Sequence, residues 1–364
     1  MLQVDVLYNQ PLLPESDPDW ASEAGVLETV DAVAAALEAH GHGVRRIAVR
    51  SSAAEIVEAF GSDAVADVVV NLCEGLGGTG AGEANVAGLV ELCGLPLTGS
   101  PPECLALVRD KARTKWLLQG AGLPTAPFFY LTPGDRLPSE PLRLALAQGP
   151  WLVKPAKEDA SLGISQQSVV TDLEALEHQV GLVRARYGDV LVERYLPGRE
   201  FNVGIIALDQ ATVLPISEIR FDEQPENAWR LVTYDAKWTP GSDDYASTPV
   251  ACPATIDAQL AERIEQVALA AFRLTGCRDY GRVDFRVDDA GAVYILEVNA
   301  NPDLSPSAGF ARALSVAGMG YDDFVERLVQ SAAARHIRRQ ICSSDHFTGV
   351  ERGSRHRTVI RSPI

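Results

Sequence analysis

Two short segments in the carboxyl-terminal third of the sequence carry oxygen ligands at a spacing that suits a divalent cation. Arg282 and Asp284 lie in one predicted strand, and Glu297 and Asn299 lie in the next, beyond a turn at 288–291. Because side chains alternate along a strand, each pair is expected on one face, and the two faces adjoin when the strands pair. Two carboxylates and an amide on one sheet face suit Mg²⁺, which completes its shell with phosphate oxygens. For Glu297 and Asn299 alone, the alternative is a solvated polar face.

Other residues could hold a nucleotide. Lys111 begins a predicted helix and Lys154 lies in a predicted strand, and both could neutralise phosphates. The loop at 156–162 follows that strand and could fold its backbone N–H groups over a phosphate. Segment 192–200 could supply an edge for adenine, with Glu200 accepting hydrogen bonds from ribose hydroxyls.

Hydrophobic patterning predicts the elements that must position these residues. Runs rich in Val, Ile and Leu at 4–8, 46–49 and 67–71 alternate with a helical pattern at 24–39. Such runs are typical of a parallel sheet that helices cover on both faces, so a doubly wound unit is expected. Further patterns predict strands at 151–155, 190–193, 201–208, 281–286 and 293–298, and helices at 110–120 and 257–275. The expected fold class is α/β (α+β).

Composition excludes several classes of protein. The 364 residues carry a formal net charge of −17, which argues against nucleic-acid binding through a broad basic face. No apolar run approaches the ~18 residues of a membrane helix, and no secretory signal is visible, so a cytoplasmic protein is expected. Residues 335–364 contain seven Arg and two acids, so 334–364 is predicted to be a basic, mobile tail.

Taken in order along residues 65–330, these features resemble the ATP-grasp superfamily and most closely the D-alanine–D-alanine ligase family. The motifs that carry the resemblance are Asp110-Lys111, Val153-Lys154-Pro155, Leu191-Val192-Glu193 with Pro197-Gly198-Arg199-Glu200, Tyr234-Asp235-Ala236-Lys237, Arg282-Val283-Asp284-Phe285 and Glu297-Val298-Asn299. Each motif is a common short string, whereas the whole series in this order is specific.

The resemblance implies three domains and a homodimer. An N-terminal doubly wound α/β domain is expected at 1–105, a central ATP-grasp domain at 106–192 and a C-terminal ATP-grasp domain with the metal site at 193–333. ATP is expected between the second and third domains. The loop at 156–163 is expected to form a lid over it.

The resemblance also implies roles for individual residues. The residues expected to bind the nucleotide are Lys111, Lys154, Glu158, Ser161 and Lys237 at the phosphates and lid, Glu193, Arg194, Tyr195 and Leu196 at the adenine hinge, and Glu200 at the ribose. The expected ligands of two Mg²⁺ ions, or of Mn²⁺, are Asp284, Glu297 and Asn299. The expected catalytic residues are Arg282, Lys237 and Glu23. Arg282 would stabilise the acyl phosphate and the tetrahedral intermediate. For Glu23 the alternative is a solvated acid in the first turn of a helix.

The lid departs from the family pattern. The family's first lid serine falls on Ala160, and the tyrosine that bonds to it falls on Trp238. Glu23 lies close to the place of the family's N-terminal glutamate, although the signature around it is missing. Without the two hydroxyl groups, the hydrogen-bond triad that holds the lid and the first substrate cannot form as such. Trp238 is kept as a candidate substrate-binding residue.

The other end of the substrate site departs as well. Where the family has a glycine after the proline, this chain has Asp303, and Ser307 follows as a candidate substrate ligand. A carboxylate at 303 would repel a substrate carboxylate and favour an amine or another cation. The alternative is that Asp303 caps the following helix.

The combined prediction is an ATP- and Mg²⁺-dependent carboxylate–amine ligase that forms an amide through an acyl phosphate, with altered substrate specificity. Its substrates would be small and amino-acid-like, and a carrier protein or another large acceptor is a further candidate. Two alternatives stay open. One is a genuine D-alanine–D-alanine ligase, and the other is a nucleotide-binding regulatory relative that does not ligate.

Overall fold

The computed structural model describes residues 1–61, 65–239 and 241–347, with the backbone alone described for Ser139 and for 337–347. Its strands are β1 (Gln3–Asn9), β2 (Gly43–Val49), β3 (Val68–Asn71), β4 (Phe128–Leu131), β5 (Trp151–Pro155), β6 (Val169–Val170), β7 (Val190–Arg194), β8 (Arg199–Ala207), β9 (Thr212–Val213), β10 (Ser217–Ile219), β11 (Val250–Ala251), β12 (Asp279–Val287) and β13 (Val293–Asn299). Its helices are α1 (Trp20–Ala24), α2 (Val26–Ala39), α3 (Ala53–Phe60), α4 (Glu83–Leu92), α5 (Pro102–Arg109), α6 (Lys111–Gly120), α7 (Ser139–Leu146), α8 (Leu173–Tyr187), α9 (Tyr234–Trp238), α10 (Asp243–Ala246), α11 (Ala258–Thr275), α12 (Gly309–Val316) and α13 (Tyr321–Phe347). No helix in these ranges is both long and apolar enough to cross a membrane.

The first sheet is parallel, and its strands β1 and β3 are buried on both faces. Its order is β2-β1-β3, with Val4 paired to Val44 on one side and to Val68 on the other. Val68 and Val70 pack with α2 and α13, whereas Val69 packs with α3 and α4. Alternate side chains of one strand therefore enter two cores. The predicted parallel sheet with helices on both faces is confirmed.

The second sheet is antiparallel, in the order β4-β7-β5-β6. Leu142 of α7 and Leu176 of α8 share a buried cluster with Val153 of β5 and Val192 of β7. The lid, residues 156–163, leaves the end of β5. The sheet therefore provides a packed base from which the lid extends.

The third sheet is also antiparallel, in the order β11-β10-β8-β12-β13, with β9 paired to β8. Helix α11, predicted at 257–275, packs on it. The side chain of Asp257 accepts a hydrogen bond from the backbone N–H of Leu260 at 2.9 Å, and Gly276 ends the helix in the left-handed conformation. The capping residues thus set both ends of the helix, which begins one residue after the predicted start and ends at the predicted residue.

Buried clusters join the first and third sheets. Val69 of β3 belongs to the same cluster as Phe201 of β8 and Ala268 of α11. Tyr280 of β12 packs against Phe324 of α13, with ring centroids 6.1 Å apart. Because the first of these cores crosses the predicted boundaries at 105 and 192, the division into domains stays a prediction.

Helix α13 runs past the predicted start of the tail at 334. Arg335 donates to the carboxylate of Asp279, which is fully buried in β12 and also accepts from the backbone N–H of Gly99 at 2.8 Å. Arg335 is therefore held against the core, because a buried carboxylate requires a paired cation, and the mobile tail beyond it stays a prediction. The remaining tail side chains, from 337 onward, lie outside the described residues.

Candidate active site

A cleft of 1570 Å³ takes its walls from all three sheets and their loops. The sequence-predicted site residues that line it are Glu23, Lys111, Lys154, Glu158, Ser161, Glu193, Arg194, Tyr195, Leu196, Glu200, Lys237, Trp238, Arg282, Asp284, Glu297, Asn299, Asp303 and Ser307. The fold therefore brings together every residue that the sequence singled out, from widely separated segments. Their individual roles stay predictions.

The predicted metal ligands lie on paired strands. Register places Asp284 of β12 opposite Glu297 of β13, and Arg282 opposite Asn299. Both oxygens of Asp284 accept from Arg282, at 2.7 and 2.8 Å, and Asn202 of β8 donates to the same carboxylate at 2.8 Å. No local pattern points to Asn202, because it lies far from Asp284 along the chain and meets it only through strand pairing.

The donor set fits Mg²⁺. Asp284, Glu297 and Asn299 present two carboxylates and an amide, the hard oxygen ligands that this ion prefers. Among the described residues, no group of three or more His, Cys, Asp or Glu could hold a metal, so the fit depends on the amide and on phosphate oxygens. Burial would raise the pKa of Glu297, but Lys111 and Lys154 lower it, so the carboxylate stays ionised as a metal ligand must.

Lys111 is engaged by the lid. It begins α6, is 5% exposed, and its Nζ donates to the backbone carbonyl of Glu158 at 2.7 Å. Its ammonium also pairs with the carboxylate of Asp159 and lies 3.5 Å from Glu297. Burial opposes the charge, yet these carboxylates raise the pKa of Lys111. The lysine predicted to bind phosphate therefore lies among anionic and carbonyl oxygens.

Lys154 and Lys115 share one buried carboxylate, that of Glu193, and the sequence had not pointed to Lys115. Glu193 of β7 is 2% exposed and pairs with Lys154 at 2.5 Å and with Lys115 at 2.8 Å. Burial would raise the pKa of Glu193, but the two lysines lower it to about 2. Lys115 stands four residues after Lys111 on α6, and this helical spacing is the signal that could have found it.

Two of the predicted hinge residues use their polar side chains in hydrogen bonds within the protein. Arg194 donates to the backbone carbonyl of Gln148 at 3.0 Å, and the buried Tyr195 donates its hydroxyl to the carbonyl of Arg230 at 3.2 Å. Leu196 is half-buried and lines the cleft. Adenine binding at this hinge would therefore depend on backbone groups and apolar surface rather than on these polar side chains.

Glu200, the predicted ribose acceptor, is paired with a buried arginine. Arg286 of β12 donates to the carboxylate of Glu200 at 2.5 Å and to the carbonyl of Arg230 at 2.9 Å. Burial raises the pKa of Glu200, and the charge of Arg286 opposes this. Arg286 lies opposite Glu200 in the register of β8 and β12, which no local pattern reveals.

The lid carries charged and strained positions. Arg109 of α5 donates to Glu158 at 3.5 Å, and burial raises the pKa of this carboxyl.

Ser161 lines the cleft and has a left-handed φ of 60°. The indole N–H of Trp238 donates to the backbone carbonyl of Ala160 at 2.9 Å. The side chain at 238 thus contacts the lid through a backbone oxygen, where the family pattern has hydroxyl groups.

Glu23 and Lys237 stand at different walls of the cleft. Glu23 of α1 accepts hydrogen bonds from the backbone N–H groups of Leu12 and Leu13, at 2.9 and 2.7 Å. Glu23 lies in the first turn of α1, as the alternative expects, and its carboxylate also holds the preceding loop, so its catalytic role stays a prediction. The charge of Lys237 in α9 helps to lower the pKa of Glu297 and opposes the rise that burial causes in the pKa of Glu200.

Asp303 lies within a tight turn. Its carboxylate accepts from the backbone N–H of Ser305 at 2.7 Å and from the hydroxyl of Ser305 at 3.1 Å. Ser307 donates to Glu28 at 3.1 Å. The alternative that Asp303 caps the next helix is wrong, because Ala308 holds the N-cap position of α12.

Carboxylates dominate the side of the cleft near Asp303. Loss of water within the cleft, together with repulsion from Asp303 and Asp159, raises the pKa of Glu74 to about 8. Burial and the charges of Asp159 and Glu74 raise the pKa of Glu83 well above its ordinary value. We refer to Glu28, Glu74, Glu83 and Asp303 as the acidic wall. A cation bound beside it would relieve this repulsion.

Comparison with known proteins identifies relatives along most of the chain. A family model described as the D-ala D-ala ligase C-terminus matches residues 117–330. A D-alanine–D-alanine ligase of Desulforudis audaxviator is 34% identical over 307 residues, which cover 84% of this chain and 92% of that protein. The uncharacterized protein y4sG of Sinorhizobium fredii is 33% identical over 271 residues, covering 74% of this chain and 76% of that protein.

Solved structures with a similar fold belong to the same family. The crystal structure of a D-alanine–D-alanine ligase from Bacillus anthracis, complexed with ATP, matches with a TM-score of 0.72 at 21% identity, covering 93% of this chain and 100% of that one. The predicted α/β (α+β) class and the resemblance are both confirmed. Since the family model spans more than half of the chain, this protein belongs to the D-alanine–D-alanine ligase family of ligases and has the ATP-grasp fold.

Proposed function

We propose that the protein is an ATP- and Mg²⁺-dependent carboxylate–amine ligase whose second substrate differs from that of D-alanine–D-alanine ligases. The observation that carries the proposal is the meeting, in one cleft, of cations suited to phosphates and oxygens suited to a metal. Lys111, Lys154 and Lys237 supply the cations, and Asp284 with Glu297 supplies the paired carboxylates.

The chemistry requires two steps. A carboxylate oxygen of the first substrate attacks the γ-phosphorus of ATP, and ADP leaves with the electrons of the broken P–O bond. The amine nitrogen of the second substrate then attacks the acyl carbon and loses a proton as inorganic phosphate leaves. The products are the amide, ADP and phosphate. Water must be kept away from the acyl phosphate, which it would hydrolyse.

The charges of the cleft suit the first step, in which two anions must approach each other. Lys111 and Lys154 would reduce the repulsion between the carboxylate and the triphosphate. When bound by Asp284, Glu297 and Asn299, Mg²⁺ would neutralise phosphate charge. Lys111 must exchange the carboxylate of Asp159 for phosphate oxygens as ATP binds.

The acidic wall supports the altered specificity. A D-alanine acceptor must place its own carboxylate somewhere in the cleft, and Asp303 would repel it there. An acceptor with an amine or another cation at that end would gain attraction instead. Asp303 and Asp159 add to the desolvation that raises the pKa of Glu74, and a cationic group beside these carboxylates would relieve their repulsion.

Genuine D-alanyl-D-alanine synthesis is the second candidate. It is favoured by the Desulforudis audaxviator relative, which carries that name and is 34% identical over 84% of this chain. The two candidates share the ATP and metal residues and differ only in the acceptor.

The deciding experiment measures ADP release with ATP and Mg²⁺ against amino acids, diamines and their pairs, D-alanine included. Mass spectrometry then identifies every product. An amide with a cationic acceptor supports the proposal, and D-alanyl-D-alanine as the product supports the second candidate. ADP release without an amide, or no ADP release, would contradict both and favour a relative that does not ligate.

Substitution of the metal ligands tests the cofactor. Asp284→Asn and Glu297→Gln should each lower ADP formation by roughly a hundredfold or more, because both carboxylates would hold Mg²⁺. Asp289→Asn, in the exposed turn between the same strands, is the matched control and should retain activity. Near-normal turnover in both ligand variants would refute the assignment.

A further inference from the structure

Trp238 connects the lid to two other parts of the chain. It is the last residue of α9, and its indole N–H donates to the backbone carbonyl of Ala160 at 2.9 Å. The same ring lies against Gly25, where a Cβ atom would stand only 2.9 Å from Cζ3 of the indole. Gly25 separates α1 from α2, near the first sheet. One side chain therefore touches the lid, α9 and the N-terminal helices.

The lid segment that Trp238 contacts has a costly backbone conformation. Ala160 and Ser161 have φ values of 56° and 60°, in the left-handed region that a Cβ atom disfavours. Two such residues in succession persist only where surrounding contacts hold them. One contact lies within the lid turn, where the N–H of Ile164 donates to the carbonyl of Ser161 at 3.1 Å. The bond from Trp238 acts on the same turn from outside.

Helix α9 is itself anchored, so it can serve as a fixed point. Thr233 caps it, accepting from the backbone N–H of Ala236 at 3.2 Å, and its hydroxyl donates to Asp244 at 2.5 Å. At the start of the helix, the N–H of Tyr234 donates to the carbonyl of Ile164 at 3.1 Å. The first and last residues of α9 thus each bond to the lid segment or to the residue that follows it.

We propose that Trp238 is a positioning residue that latches the lid over the cleft, through its N–H bond to Ala160 and the seat of its ring on Gly25. The inference rests on the proposed function, because the lid would shield the acyl phosphate from water. A backbone carbonyl is available whatever the side chain at 160. The latch therefore operates without the two hydroxyl groups that the family pattern supplies.

Two substitutions separate the parts of the latch. Trp238→Phe keeps an aromatic ring and removes the N–H, while Gly25→Ala places a methyl group against the ring and displaces it. The matched controls are Trp116→Phe, on a half-exposed indole of α6, and Gly181→Ala, where a Cβ would meet no atom within 4 Å. Thermal unfolding of each variant checks that the fold is retained.

The primary readout is hydrogen exchange in the ATP-free protein. The amides of Leu162 and Ile164, which bond within the lid turn, should exchange roughly three- to tenfold faster in Trp238→Phe and Gly25→Ala. Both controls should match the wild type. Unchanged exchange in Trp238→Phe would overturn the latch, and Gly25→Ala decides the matter if the first variant does not fold.

The second readout is the number of ADP molecules formed for each amide formed. It should rise in both latch variants, because a loosened lid admits water to the acyl phosphate, and it should not rise in the controls. A ratio unchanged in both would overturn the shielding role. If the wild type forms no amide with any acceptor, the proposed function fails, whereas the exchange measurement still decides whether Trp238 holds the lid.

Discussion

Replacing Glu193 by glutamine should destabilise the protein strongly at neutral pH. The carboxylate of Glu193 is 2% exposed and pairs with Lys115 at 2.8 Å and Lys154 at 2.5 Å. Glutamine keeps the shape of the side chain but deprives two buried ammonium groups of the carboxylate that they share. Such groups are costly in a protein interior.

The size of the effect follows from the pKa of Glu193. Burial alone would raise this pKa, yet the two lysines lower it from 4.5 to about 2. At about 1.4 kcal/mol for each pKa unit, the difference corresponds to about 3 kcal/mol. Because the pKa is lowered in the folded state, this stabilisation is fully present above pH 4.5 and is lost as the pH falls towards about 2.

Urea unfolding of the wild type and of Glu193→Gln, at neutral pH and near pH 3, measures the effect. The free energy of unfolding should differ by about 3 kcal/mol at neutral pH and by less near pH 3. Adding Lys115→Met to Glu193→Gln should recover part of the loss, because it removes one unpaired ammonium group. A difference below about 0.5 kcal/mol at neutral pH, or one that does not shrink in acid, would refute the reasoning.

Three further predictions concern the lid, the acidic wall and the end of α13. Asp159→Asn should lower the KM for ATP roughly two- to fivefold, because it frees Lys111 from a half-exposed partner, and an unchanged or higher KM would contradict this. Asp303→Gly should improve turnover of acceptors with a free carboxylate relative to cationic ones; an equal loss for both classes would mean that the residue only shapes its turn. Arg335→Met should lower the free energy of unfolding by about 3 kcal/mol in urea, because it leaves the carboxylate of Asp279 buried and unpaired, and wild-type stability would show that the pair is dispensable.

Local patterns along the chain were sufficient to predict several parts of the protein. Continuous apolar runs predicted the parallel sheet, and sequence pattern predicted α11 to within one residue at its start. Alternation along two strands placed Asp284 and Glu297 on adjoining faces, and the register confirms this pairing. The order of the short motifs along the chain was then enough to predict the family. These features are local because the alternation and the helical repeat are properties of the backbone, whatever the strand or helix packs against.

Contacts between distant segments determine which residues complete the site. Asn202 and Arg286 reach Asp284 and Glu200 through strand pairing between distant segments, and Trp238 reaches Ala160 through the approach of α9 to the lid. Charged residues whose roles local sequence leaves open acquire definite partners in this way. The physical reason is that hydrogen bonds and ion pairs act over a few ångströms in space, whereas the partners are separated by tens of residues in sequence. The partner of each side chain in the cleft therefore depends on which strands, helices and loops the fold brings together there.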